Sequence, residues 1–196
     1  MNDVVEKVEG DDDDESQEYT HFFKILLVGA ARVGKTAVRY RFCRGHYADE
    51  YYPTSGLENS ARTVRINGDT VRLQIMDVGG DRAYETTRKN YYRGANAFIV
   101  VYDVNNKKSF ENAQQLVKEL DMHEQSEAPK MILANKCDFS KRRVDQDEAK
   151  SWADGWRLPL VESSTRTGQG IDDAVLRLAV ALKRQLAPWK RLYNFD

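Results

Sequence analysis

The eight residues Gly29-Ala30-Ala31-Arg32-Val33-Gly34-Lys35-Thr36 restrict the possible folds of this chain most, because of what lies on either side of them. The apolar run from Phe22 to Val28 that leads into them suits a strand buried on both faces. The residues from Gly34 to about Arg44 read as a helix. A loop of the pattern G-x-x-x-x-G-K-[ST] between a buried strand and a helix has its N–H groups free to wrap a polyphosphate. Lys35 is placed to reach the outer phosphates, and the Thr36 hydroxyl to ligate Mg²⁺. The candidate phosphate ligands therefore run through Ala31, Arg32, Val33, Gly34, Lys35, Thr36 and Ala37. By itself such a loop does not separate GTPases from ATPases or from nucleotide kinases.

The remaining pattern builds a sheet around that loop. Ser60 to Ile66 and Thr70 to Met76 flank Asn67-Gly68-Asp69, a hairpin signal because Asn and Gly tolerate positive φ, so this pair is expected to be antiparallel. Further apolar strands are read at Ala97 to Tyr102, Lys130 to Ala134 and Leu158 to Glu162. Phe110, Ala113, Val117 and Leu120 recur at helical spacing, as do Ile171, Ala174, Val175, Leu178 and Leu182. Strands alternating with helices predict an α/β fold of the P-loop NTPase type. It has six strands, mostly parallel with one antiparallel, and helices on both faces. Ligands bind such sheets at the carboxyl ends of the strands.

One domain is expected over residues 21–187, since 196 residues leave little room for two. Residues 1–20 contain Asp11 to Asp14 and Glu15 with few apolar side chains and read as a disordered acidic tail. Residues 188–196 read as a short aromatic and basic tail. A net charge of −1 gives no reason to expect nucleic acid as a ligand. Two cysteines, Cys43 and Cys137, fit a reducing, cytoplasmic setting rather than a disulfide framework. His21, His46 and His123 lack metal-ligand spacing, and Trp152, Trp156 and Trp189 are read as packing residues.

Asn135-Lys136-Cys137-Asp138 ends a buried strand. Guanine offers N1–H and an exocyclic amine as adjacent donors, and a carboxylate such as Asp138 accepts both. Adenine presents an acceptor at N1 that the carboxylate repels. Asp77-Val78-Gly79-Gly80 ends another strand; an Asp there holds Mg²⁺ through a water, and a glycine lets the backbone approach the terminal phosphate.

Together with Tyr52-Pro53-Thr54-Ser55-Gly56 and the stretch from Tyr91 to Asp103, these elements resemble a Ras-superfamily GTPase, and the last stretch is similar to the Rab branch. The resemblance runs from about Phe22 to Gln185. It implies that Thr36, Thr54 and Asp77 form the Mg²⁺ site, that Tyr51 lies over the phosphates, and that Tyr47 packs on the guanine. Ser164-Thr165-Arg166 takes the place of a base-contacting loop. It further implies that Lys35, Thr54, Gly80 and Asp81 take part in GTP hydrolysis. The implied partners are an exchange factor, a GTPase-activating protein and effectors of an intracellular, trafficking-related pathway, all acting on a monomer.

This sequence departs from the family pattern in four places. Asp81 stands where a glutamine orients the attacking water, and Ala31 where a glycine lies near the transferred phosphoryl group; both point to slow hydrolysis. Ser55-Gly56-Leu57-Glu58-Asn59 and Met76 replace I-G-V-D-F and a tryptophan, which removes two aromatic contacts of the usual effector face while Tyr91 remains. Arg82-Ala83-Tyr84-Glu85 differs in charge order from E-R-F-R. Leu192-Tyr193-Asn194-Phe195-Asp196 carries no cysteine for a prenyl chain, so membranes are expected to be reached through a partner unless the chain is truncated. Two functional readings follow from these departures: a switch that cycles between GTP and GDP, or an adaptor that holds GTP with little turnover. A nucleotide kinase fits less well, since the place of its arginine-rich lid is taken by residues 135–138.

Overall fold

The computed structural model describes residues 3–7, 18–47, 54, 56–80, 85–122 and 127–190. Within them the elements follow the order β1 (Val5–Lys7), β2 (His21–Val28), α1 (Lys35–Arg44), β3 (Leu57–Ile66), β4 (Asp69–Val78), α2 (Glu85–Tyr92) and β5 (Ala97–Asp103). They continue with α3 (Lys107–Asp121), β6 (Lys130–Asn135), α4 (Gln146–Gly155), β7 (Leu160–Glu162) and α5 (Ile171–Lys190). The strands form one sheet in the order β1-β3-β4-β2-β5-β6-β7. β4, β2, β5, β6 and β7 are parallel, while β3 runs antiparallel to β4 across the Asn67-Gly68 turn.

Successive side chains of β2 go to opposite faces, and both are covered over Ile25 to Val28, which is why that stretch is apolar without alternation. Ile25 and Leu27 join Val38 and Phe42 of α1 and Val175 and Leu178 of α5. Leu26 and Val28 join Phe110 and Ala113 of α3 and Ala149 of α4. The α/β sheet with helices on both faces is the one read from the sequence, and β7 is two residues shorter at its start than the run from Leu158 suggests. Trp152 packs edge-on against Phe110 at 5.3 Å, in the packing role its sequence context suggests. No helix among the described residues is long and apolar enough to cross a membrane.

The sheet has a seventh strand that corrects the reading of residues 1–20 as disordered throughout. β1 lies antiparallel to β3, with Val5 opposite Ile66 and Lys7 opposite Val64. Val5 packs on the core beneath α5. Asn67 fixes the strand from the hairpin turn: its N–H donates to the Val4 carbonyl at 2.9 Å, and its Oδ1 accepts from the Val4 N–H at 2.9 Å. Its Nδ2 donates to Asp3 at 2.8 Å, and Arg184 of α5 pairs with the same carboxylate. A single apolar residue thus suffices, because the edge of β3 and the side chain of Asn67 supply the polar partners. The run from Asp11 to Glu15 lies outside the described residues.

The sequence pattern marks α4 only through Trp152 and Trp156, and α2 not at all. α4 starts at Asp145, whose carboxylate accepts from the N–H groups of Asp147 and Glu148. α2 is docked by the Tyr92 ring, set edge-on against Phe98 at 5.5 Å, and by polar groups. Arg88 Nε donates to the Tyr92 hydroxyl at 2.8 Å, and that hydroxyl donates to Glu119 of α3 at 2.7 Å. Arg88 also pairs with Glu119 at 3.3 Å. Burial, reinforced by the bond to Glu119, raises the pKa of the Tyr92 phenol. Glu119→Ala leaves both donors without their acceptor and is expected to lower the unfolding free energy by about 1–3 kcal/mol. Urea melts of the two proteins check this, and coincident curves would show that the network contributes nothing.

Candidate functional site

The parallel strands β2, β4, β5, β6 and β7 deliver Gly29, Gly79, Val104, Lys136 and Ser163 to one end of the sheet. After β2, the loop bends at Arg32 and Gly34, both left-handed with φ 64° and 100°. α1 opens on Gly34 with no side chain capping its first turn, so the N–H groups of that turn face the loop. Lys35 folds back across it and donates to the Gly29 and Ala30 carbonyls, each at 3.0 Å. Burial lowers the Lys35 ammonium to about 8, Asp77 opposing the shift and the like charge of Arg88 adding to it. An adjacent phosphate restores the charged form of such a lysine. Gly80 closes over the loop from the end of β4. A Cβ at Gly80 would fall 2.5 Å from Lys35 Nζ and 2.6 Å from the Ala30 backbone, so the close approach requires glycine.

Beneath this loop three oxygen-bearing side chains converge from separate elements. Thr36 Oγ1 donates to Asp77 Oδ2 at 2.5 Å and lies 2.9 Å from Thr54 Oγ1, which reaches the same carboxylate oxygen at 3.4 Å. Asp77 is fully buried, and its Oδ1 has no hydrogen-bond partner among the described residues. Burial raises the pKa of this carboxyl group, while the Thr36 bond and the Lys35 charge act the other way. Two hydroxyls and a buried carboxylate with an unused oxygen form a hard oxygen donor set. Mg²⁺ favours such sets, binding few protein ligands and keeping several waters. The residues present fit that ion.

The next two strand ends supply a second group of loops. Asn135, fully buried, donates from Nδ2 to the Val33 carbonyl at 2.9 Å and accepts from Ser163 Oγ at 3.3 Å. Lys136 Nζ donates to the Arg32 carbonyl at 2.8 Å and pairs with Asp103 at 2.8 Å. The Cys137 N–H donates to the Ser163 carbonyl, which carries the tie on to Ser164, Thr165 and Arg166. Arg41 of α1 holds that last loop by donating to the Thr165 and Arg166 carbonyls at 2.8 and 2.5 Å. Asp138 is exposed at the mouth formed by these loops, and Tyr47 is half-buried beyond the end of α1.

Of the residues singled out in the sequence, Ala31 to Thr36, Thr54, Asp77, Gly80, Asn135 and Lys136 come together directly. Asn135 and Lys136 join the phosphate loop to the loop bearing Asp138. Tyr51 and Asp81 lie outside the described residues. Asp103 and Arg41 were not assigned a part in the sequence reading. Arg41 stands among apolar residues of a helix that is otherwise mostly buried, and that position is the signal that could have drawn attention to it.

The glycine-rich loop between β2 and α1, the hydroxyl and carboxylate cluster beside it and the loops after β6 and β7 sit where a P-loop nucleotide-binding fold places its ligand. The family model described as "Ras family" matches residues 24–184. The chain is also 36% identical over 173 residues to the GTP-binding protein YPTM1 of Zea mays, across 88% of this chain and 83% of that protein. The chain therefore belongs to the Ras family of small GTPases and is Rab-like among them. Members of this family bind guanine nucleotide, typically with Mg²⁺, and work with exchange factors, activating proteins and effectors.

Proposed function

We propose that this chain is a guanine-nucleotide switch that hydrolyses GTP slowly and controls an intracellular partner in trafficking. Ala31 to Ala37 hold the phosphates, Asn135, Lys136 and Asp138 the base, with Ser164, Thr165 and Arg166 contacting it through their backbone. Tyr47 packs on the guanine and Tyr51 covers the phosphates. The observation that carries the reading is the convergence of Thr36, Thr54 and Asp77 below the phosphate loop. Thr54 belongs to a different segment from Thr36, so a ligand that both hydroxyls serve couples the chain around residue 54 to the nucleotide.

Mg²⁺, when bound, neutralises charge on the outer phosphates; Thr36 and Thr54 would hold it, with Asp77 acting through a water. Lys35 stabilises negative charge on the phosphoryl oxygens. Gly80 allows the backbone to approach the terminal phosphate, and Asp81 follows it as a shorter, ionised substitute for a water-orienting amide. Asp81 and Ala31 also favour the second reading, an adaptor that keeps GTP as a structural ligand. Hydrogen exchange separates a switch from a site indifferent to the third phosphate. Residues 46–58 are expected to be better protected with a non-hydrolysable GTP analogue than with GDP, and equal protection would rule the switch out.

A further inference from the structure

Beside the hydroxyl cluster lies a charged clamp that none of the motifs includes. Arg39 stands one turn past Lys35 in α1 and is only 4% exposed. Its guanidinium donates to Ser60 Oγ at 2.7 Å and to the Asn59 carbonyl at 3.4 Å, and it pairs with the Glu58 carboxylate. All three partners lie in the first half of β3, whose start is three residues beyond Thr54. One helix therefore carries Lys35 and Thr36 at its first turn and grips the strand behind Thr54 at its second.

Glu58 requires such a partner. In the β3–β4 ladder it stands directly opposite Asp77, and opposed residues of an antiparallel pair project from the same face. Two carboxylates in that relation repel, and Asp77 is sealed from solvent. A guanidinium from α1 offsets the repulsion and draws the start of β3 toward the helix. The β4 ladder fixes β3 along the sheet, whereas Arg39 ties it to the element bearing the phosphate loop.

We propose that Arg39 is a positioning residue for the third-phosphate side of the site, acting through Glu58 and β3 to hold the Thr54 hydroxyl beside that of Thr36. The inference rests on the nucleotide-switch reading above. Thr54 serves the third phosphate and its metal, so Arg39 governs the preference for the triphosphate over the diphosphate and leaves overall affinity in place.

Dissociation constants of the full chain for GDP and for a non-hydrolysable GTP analogue, at saturating Mg²⁺, test this. Arg39→Leu is expected to lower the preference for the analogue over GDP roughly tenfold, while GDP affinity stays within about twofold. In a Thr54→Ala background the same substitution is expected to change the preference by less than about twofold, because the residue it acts through has been removed. Equal weakening of both nucleotides would mark Arg39 as a packing residue only and overturn the proposal. A full effect in the Thr54→Ala background would overturn it as well. Should Arg39→Leu fail to fold by circular dichroism, Arg39→Gln keeps the side-chain stem without the charge and enters the same comparison. If the wild-type chain binds neither nucleotide, the switch reading itself falls and takes the proposal with it, an outcome seen before any variant is made.

Discussion

Asp138→Asn is expected to move base preference from guanine toward xanthine nucleotides by about 10⁴-fold, the largest change in binding anticipated from a single atom exchange in this chain. On the proposed reading, the carboxylate of Asp138 would accept from two adjacent donors of guanine, and an amide there would offer a donor that suits the carbonyl of xanthine. The magnitude depends on the loop being rigid, since a mobile side chain would re-pair with water. Asn135 provides that rigidity three residues earlier, buried and bonded to both Val33 and Ser163. Lys136, left-handed at φ 65°, is pinned to Arg32 and Asp103. Asp138 itself is exposed, so the substitution is expected to leave stability within about 0.5 kcal/mol. Competition among GTP, XTP and ATP for the wild-type and variant proteins measures the shift. Wild-type affinity for ATP within about tenfold of that for GTP would show the base assignment to be wrong.

Asp81→Gln is expected to raise single-turnover GTP hydrolysis by roughly ten- to a hundredfold. On the proposed reading, Lys35 and the N–H groups opening α1 would stabilise phosphoryl charge, so a basal rate is expected without a well-placed water. A neutral amide both accepts from that water and donates to the phosphate, which an ionised carboxylate cannot do. Gly80, the residue before Asp81, is pressed against Lys35 and Ala30 in the phosphate loop. Ala31→Gly is expected to add a smaller gain, less than multiplicative with the first because both act on one water. An unchanged or lower rate for Asp81→Gln would mean that the residue is no degraded water-positioner, and would favour the adaptor reading.

The parts of this molecule legible in the sequence are those whose cause is local. Ile25 to Val28 is apolar at every position because both faces of the strand are covered, and Asn67-Gly68 carries the turn its strands need. The loop from Gly29 to Thr36 is defined by contiguous residues, so its chemistry could be read before its shape. β1 could not be read this way, because Val4 meets Asn67 across 63 positions and nothing in three residues announces the partner. Arg39 and Arg41 were missed for a related reason. On a helix an arginine reads as a solvated face, and only the packing of α1 against β3 and the loop after β7 turns it inward. α2 escaped notice because, of its described side chains, only Tyr91 and Tyr92 meet the apolar core, and the Arg88, Tyr92 and Glu119 network that also docks it leaves no sign in apolar periodicity.

The pairing of Asp3 with Arg184 spans 181 positions, so one tie on β1 has to wait for the last helix during synthesis. The hairpin of β3 and β4 can form as soon as both strands have left the ribosome, and Asn67 can then hold β1 on its edge. The packing of Val5 and the pair of Asp3 with Arg184 are added when α5 arrives. Until β1 pairs with it, the outer backbone groups of β3 stand open to other extended chains, the hazard of any uncovered edge. β1 is thus paired early through Asn67 and completed only with α5.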